Sequence, residues 1–326
     1  MSRTLWTWGR FVGSGVTLTV LVWRLGTSPF LEGVRTVNGQ VLAAAAGLGV
    51  LTTVCCAWRW KIVAGCLGVE LSLHAAVTAY YRSLFLNVTL PGGIVGDVHR
   101  GVSHGRNVND VGRALRSVAW ERFAGQVVQG LLTVVVLLAF PSPMHSYMPL
   151  VLITLAVAVP CIVLVARGRP AGRRSARAGL LTAAANDIRE GLLARRAWPR
   201  IALASALVVC GHVVTFLIAA RTAGISAPPS EMLPLAMVVM LVMVVPSAGG
   251  WGPREGATAW AFGAAGVGAE RGVATAVVFG VMVLVASLPG AAALVISWLR
   301  RSRLPEPAEA RLTEGAARAL TARTPA

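Results

Sequence analysis

Asn87-Val88-Thr89-Leu90-Pro91-Gly92-Gly93-Ile94-Val95-Gly96-Asp97-Val98-His99-Arg100 is the stretch on which the reading of this chain turns. It sets a helix breaker, a glycine pair and ionisable side chains inside otherwise apolar sequence. Proline removes an N–H and disfavours the helical state of the residue before it, so Pro91 ends an incoming helix. Gly92 and Gly93 then let the backbone turn tightly and leave N–H groups where an anionic headgroup can approach. Asp97 and Arg100 stand three apart, so a short helix after the turn puts them on one face, able to pair with each other or to hold a zwitterionic ligand. In a soluble protein the plainer account is a connecting loop with a surface ion pair. In a membrane, ionisable groups beside apolar chain are functional candidates by default.

Composition decides which solvent applies. Of 326 residues, 56% are hydrophobic and 13% charged, against roughly 45–50% apolar and 25% charged in soluble domains. At about 20 apolar residues per crossing, this content supplies roughly six to nine bilayer segments and leaves no stretch for a separate soluble domain. Disordered, collagen-like and disulfide-scaffold classes are excluded on the same ground. The formal charge of +17 comes almost wholly from arginine, because Lys61 is the only lysine. These arginines flank apolar runs and form no stripe of the kind that binds nucleic acid. They read as positive-inside anchors and as attraction to anionic lipid.

The ordinary spans are Phe11–Leu25, Val41–Trp58, Val118–Phe140, Met148–Val165, Ile201–Ala220 and Val273–Leu299. Arg59 and Lys61 are taken to close the second of these, with Trp58 and Trp60 at the aromatic belt. Two regions behave differently. Residues 62–101 carry Glu70, His74, Arg82, Asn87, Asp97 and Arg100 around Leu90-Pro91-Gly92-Gly93. Residues 232–269 hold two short apolar runs around Pro246-Ser247-Ala248-Gly249-Gly250-Trp251-Gly252-Pro253-Arg254-Glu255. As helices, Met232–Val245 and Ala257–Ala269 rise only about 20 Å each, short of a roughly 30 Å hydrocarbon core. Backbone of this kind is tolerated at membrane depth only when buried in protein or lining a wet cavity.

Charge parity tests the first region. The arginine-rich connection Arg167–Arg200 and the tail with Arg300, Arg301 and Arg303 are expected in the cytoplasm, and the Lys/Arg-free turn Pro141–Tyr147 outside. If the N-terminus with Arg3 and Arg10 starts inside, Lys61 and Arg100 both lie inside, and the chain between them enters and leaves by one face. A re-entrant hairpin with Pro91 near its tip satisfies this. The opposite orientation puts Arg3, Arg10, Arg59 and Lys61 outside, which the rule disfavours. The second region returns to the outer face. The predicted fold class is therefore all-α: a polytopic integral membrane helical bundle with about six full spans plus two Gly/Pro-broken or re-entrant hairpins. One transmembrane domain covers 1–303, with a basic, amphipathic linker at 167–200, and 304–326 reads as a disordered tail. Two broken segments opening from opposite sides are what inverted-repeat transporters place around a midplane site.

Glu121 and Arg122 open the span that also carries Gln126 and Gln129. Being adjacent, they point about 100° apart and cannot both face lipid cheaply, so at least one turns inward toward partners such as Asp97 or Arg100. Snorkelling of both to water is the alternative. Arg254 and Glu255 follow a Gly/Pro turn at a helix start, where free N–H groups and a bidentate arginine suit phosphate. The alternative is that Glu255 merely caps its own helix and Arg254 balances it. Glu70 and His74, four apart, would share a helix face, which resembles a proton-relay pair but reads better as a hydrogen-bonded structural pair. The five cysteines lie in apolar stretches without ligand spacing, and no metal, nucleotide or other cofactor fingerprint stands in its required context.

The ordered set N-x-x-L-P-G-G-x-x-G-D-x-x-R at Asn87–Arg100, E-R at Glu121–Arg122, and P-S-x-G-G-x-G-x-x-E at Pro246–Glu255 resembles the lysylphosphatidylglycerol synthase transmembrane family, also described as flippase-like or YbhN-like membrane proteins. The resemblance covers roughly Leu5–Arg303. It implies a membrane domain that translocates aminoacylated phosphatidylglycerol in two-domain members, where a separate soluble domain performs the aminoacyl transfer. This chain has no room for that soluble domain, so synthase activity is not expected. The resemblance carries over Asp97, Arg100, Glu121, Arg254 and Glu255; Asn87, Gly92, Gly93, Arg122, Gly249 and Gly250 complete the substrate-binding candidates. The expected function is a lipid translocase or lipid-binding protein of the cytoplasmic membrane, handling an anionic or zwitterionic phospholipid or a lipid-linked substrate without nucleic acid or cofactor. Alternatives are a membrane-embedded enzyme of glycolipid assembly, or a scaffold for a partner synthase or glycosyltransferase.

Overall fold

The computed structural model of the protein describes residues 15–90, 93–140, 197–243 and 251–302. Ten helices lie within them: α1 Gly15–Leu25, α2 Ser28–Arg35, α3 Gly39–Cys66, α4 Leu73–Thr89, α5 Val95–Asn107, α6 Val111–Ala139, α7 Trp198–Thr222, α8 Pro229–Val242, α9 Pro253–Ala264 and α10 Ala269–Ser302. Four of them, α3, α6, α7 and α10, are long and apolar enough to cross a membrane. The protein is a polytopic helical membrane protein. The expected span Met148–Val165 and most of the basic linker lie outside the described residues, although Trp198, Pro199 and Arg200 already belong to α7.

Local chemistry sets the helix starts. Asn38, Ser72 and Asp110 each accept a hydrogen bond from a backbone N–H one turn into α3, α4 and α6, which satisfies donors that a helix start leaves unpaired. The Asp110 cap starts α6 at Val111, seven residues before the apolar run Val118–Phe140, because Arg113, Arg116 and Ser117 interrupt the apolar pattern in its first two turns. α3 also overruns its expected end. Arg59 and Lys61 do not close it, and the helix continues to Cys66. Arg59 is buried while Lys61 is exposed; two residues apart on a helix, they point to nearly opposite sides. Glu70 precedes the cap Ser72 and lies outside α4, so it shares no helix face with His74, and both are exposed.

Ring and hydrogen-bond contacts fix the directions of the helices. Trp60, near the C-terminus of α3, packs edge-on against His104, near the C-terminus of α5, and its Nε1 donates to Ser117 Oγ in the early turns of α6 at 3.0 Å. Arg59 Nη1 donates to Ser205 Oγ, two turns into α7. The ends of α3 and α5 and the starts of α6 and α7 therefore share one end of the bundle. α10 runs parallel to α3, with Gly33 of α2 against Ala274 and Gly49 of α3 against Ala286. This shared end collects Lys61, Arg106, Arg113, Arg116, Arg200 and Arg300.

Two helical hairpins are inserted between the spans. α4 leaves the basic end and α5 returns to it, as charge parity requires of a re-entrant segment. α4 rises about 26 Å, which is short of a crossing. α8 and α9 leave and return at the opposite end, between the C-terminus of α7 and the start of α10. Phe216 of α7 sits among Phe262 of α9 and Phe279 of α10 with ring centroids 6.0 and 6.1 Å away, in the largest apolar core. α9 begins at Pro253, four residues earlier than the apolar pattern shows. Proline is pre-set for the first helical position, and Gly252 before it adopts φ 98°, a conformation open to glycine.

Candidate functional site

Five ionised side chains from three helices meet near the basic end. Glu121 of α6 is fully buried and lies between two guanidiniums. Its Oε1 accepts from Arg59 Nε at 2.9 Å and Nη2 at 2.5 Å, and its Oε2 accepts from Arg100 Nη2 at 2.6 Å. Arg100 Nε donates in turn to Asp97 Oδ1 at 3.0 Å. Arg122 Nη2 donates to the same carboxylate at 2.9 Å. Ser83 and Asn87 of α4 add hydrogen bonds to Asp97 at 3.1 and 3.2 Å, and Tyr80 OH donates to Glu121 at 3.3 Å. The Arg100 guanidinium is held between the Trp60 and Tyr80 rings, 4.6 and 4.3 Å from their centroids, an arrangement that favours a desolvated cation.

Buried charges cost several kcal/mol each unless they are paired and fully hydrogen-bonded. Here three guanidiniums face two carboxylates, so the cluster keeps a net charge of +1 after its internal pairs are made. Burial pushes the Asp97 carboxyl up, but Arg122 and Arg100 outweigh it and hold the group below its ordinary value. Arg100 Nη1 and Arg122 Nε make no hydrogen bond. The Arg59 and Arg100 side chains are 6% and 0% exposed, whereas that of Arg122 is 41% exposed. The surplus positive charge is accessible at Arg122.

Arg122 opens on a cavity of about 260 Å³ bounded by α3, α4, α6, α7, α8 and α10. Both hairpins supply wall: Tyr80 and Leu84 from the first, Met240 and Met243 from the second. On α3 the lining runs from Arg59 to Ala45, about 21 Å along the helix axis. Polar groups continue beyond the arginines as Gln126 and Gln129 on α6, Thr52 on α3, and Ser205, His212 and Thr215 on α7. Gly125 leaves the space that Arg59 occupies, since a Cβ there would come within 2.7 Å of its guanidinium.

The structure thus brings Asn87, Asp97, Arg100, Glu121 and Arg122 into one network. Asn87 bridges the hairpin, accepting from Gly96 N at 2.8 Å while donating to Asp97. Gly93 has φ 61°, a turn conformation open to glycine. Gly92, Gly249 and Gly250 lie outside the described residues. Arg254 and Glu255 do not join the network. They pair with each other, Arg254 lies 5.0 Å from the Trp251 ring, and Glu255 Oε2 accepts from Gly252 N at 2.6 Å. This is the self-capping alternative, and it occupies an N–H at the helix start. Arg59 was missed as a site residue because Trp58, Trp60 and Lys61 make it look like an interfacial anchor. The signal was the apolar Ile62-Val63-Ala64 beyond it, which shows that the helix continues.

A net-cationic centre in a helical bundle, opening on a cavity walled by two broken hairpins, defines the class of this membrane protein. The chain belongs to the family described as lysylphosphatidylglycerol synthase TM region, whose model matches residues 8–290. A comparison with curated proteins finds no match.

Proposed function

We propose that the protein binds the phosphate of a phospholipid or lipid-linked substrate at Arg122 and lets the headgroup cross the bilayer through the adjoining cavity. The observation that carries this reading is a net-cationic cluster whose most exposed guanidinium, Arg122, is among the residues lining a cavity about 20 Å long. A guanidinium recognises phosphate oxygens through directed N–H donors. Glu121 is shared by Arg59 and Arg100 and Asp97 by Arg100 and Arg122, so Asp97 positions Arg122 while the centre as a whole stays cationic. The apolar remainder of the wall suits acyl chains beside the path. Because Asp97 and Glu121 are both bonded to guanidiniums, binding is favoured over acid/base chemistry, which needs a carboxyl free to exchange a proton. The basic end is assigned to the cytoplasmic face of the cell membrane by the positive-inside rule, and a synthase or glycosyltransferase acting there is a fitting partner.

Reconstitution into liposomes with trace acyl-labelled phospholipids tests the proposal. Transbilayer movement is expected to be faster than in protein-free vesicles and to be lost in Arg122→Gln. Movement no faster than the protein-free control across anionic and zwitterionic headgroups overturns it.

A further inference from the structure

Beyond Arg122 the cavity changes its hydrogen-bonding character. Thr52 Oγ1 donates to Leu48 O at 2.9 Å, and Thr215 Oγ1 donates to Gly211 O at 2.8 Å. His212 Nδ1 lies 2.8 Å from Val208 O. A carbonyl oxygen only accepts, so this ring nitrogen carries a proton, and in the uncharged form of the ring Nε2 is left as an acceptor. All three side chains line the cavity, and each has spent its donor on its own helix. What they offer to the cavity is lone pairs.

These groups lie close together in depth. A Cβ on Gly211 would run into Thr52 Cγ2, which puts Thr52 beside the residue preceding His212. On α7, His212 lies seven residues beyond Ser205, the partner of Arg59, about 10 Å along the axis. The cavity therefore carries guanidinium donors near the basic end and, about two turns farther in, the uncharged acceptors of Thr52, His212 and Thr215, with the Gln126 and Gln129 amides of α6 adding acceptor oxygens as well as N–H donors.

We infer that this acceptor-lined stretch selects lipids whose headgroup carries N–H or O–H donors, such as phosphoethanolamine and phosphoglycerol, over phosphocholine, whose nitrogen is capped by methyl groups. The inference rests on the proposed passage of headgroups through this cavity. A donor crossing a site shielded from water needs a partner at each step, because a buried polar group left unpaired is costly. Phosphocholine gains nothing from the acceptors and leaves them desolvated.

The test uses the full chain in vesicles of equal parts phosphatidylethanolamine, phosphatidylglycerol and phosphatidylcholine, with two readouts. Dithionite quenching follows movement of each acyl-labelled lipid, and native mass spectrometry follows which lipid stays bound. Phosphatidylethanolamine and phosphatidylglycerol are expected to move and be retained about tenfold better than phosphatidylcholine, the effect of about one hydrogen bond. His212→Leu with Thr215→Val is expected to bring that ratio toward one, and His212→Gln, which keeps an acceptor, to restore much of it. The conservative Thr215→Val alone supplies a smaller drop if the double variant does not fold. Movement with no headgroup preference overturns the inference and leaves the translocase reading standing. Selective retention without movement does the reverse, and neither retention nor movement overturns both.

Discussion

Among the described residues, two sets of buried guanidinium and carboxylate groups differ in how they are closed. Arg254 and Glu255 are neighbours in sequence, pair with each other at the start of α9, and sum to zero. The cluster around Glu121 draws Arg59 from 62 residues away and Arg100 from 21, and ends with one positive charge in excess. A locally closed pair stabilises a helix start and has little capacity left for a ligand. The non-local cluster keeps an exposed guanidinium on a cavity, which makes it the candidate site. Glycine serves both sets alike: Gly125 makes room for Arg59, and Gly280 of α10 for Arg254.

The contrast is sharpest in thermal unfolding of the detergent-solubilised protein. Glu121→Gln strips two guanidiniums of their shared counter-charge and is expected to cost about 3–5 kcal/mol, the penalty for breaking a buried pair. Glu255→Gln keeps an acceptor for the Gly252 N–H and loses only one charged partner, so about 2 kcal/mol is expected. Equal losses would mean that both sets are closed in the same way. Gly125→Ala and Gly280→Ala each push a methyl group toward a guanidinium and should cost about 1 kcal/mol. Only the first is expected to slow lipid movement in liposomes, since Arg59 lines the cavity and Arg254 does not. Arg122→Gln should change stability by less than about 1 kcal/mol, its side chain being 41% exposed, while abolishing lipid movement.

Acid gives the smallest effect and checks the sign of the cluster. Asp97 is held below its ordinary value, so its contribution is fully present above about pH 4. That contribution is lost as pH falls through the lower folded value, because protonation then removes the charge that Arg122 and Arg100 favour. Wild type should therefore exceed Asp97→Asn in melting temperature from neutral pH down to about 4, with the gap narrowing below that. A gap that widens in acid would contradict the pairing.

Much of the architecture was legible because it is written in local pattern. Apolar runs gave the four long helices of the described residues, a helix break was expected where the chain passes from Thr89 to Val95, and parity of the basic residues required that segment to return to its own side. The boundaries were less legible. The run Val41–Trp58 gave no sign that α3 extends to Cys66, because an arginine beside tryptophan reads as an anchor until a buried carboxylate is found opposite it. Within the site, the i,i+3 pairing of Asp97 with Arg100 follows from helix geometry alone. The partners of Glu121 do not, since they depend on how α3, α5 and α6 pack.

By itself the sequence determined the solvent, the helical class, the two interruptions and the charged residues that lie near them. These properties are set by neighbours along the chain, through hydropathy, backbone restriction and helical period. Only the tertiary structure decided that Glu121 shares its charge between Arg59 and Arg100, that Arg122 is left facing a cavity, and that Arg254 and Glu255 complete each other instead. The physical reason is that the net charge of a buried site and the space beside it belong to helices brought together by packing, which no single segment encodes.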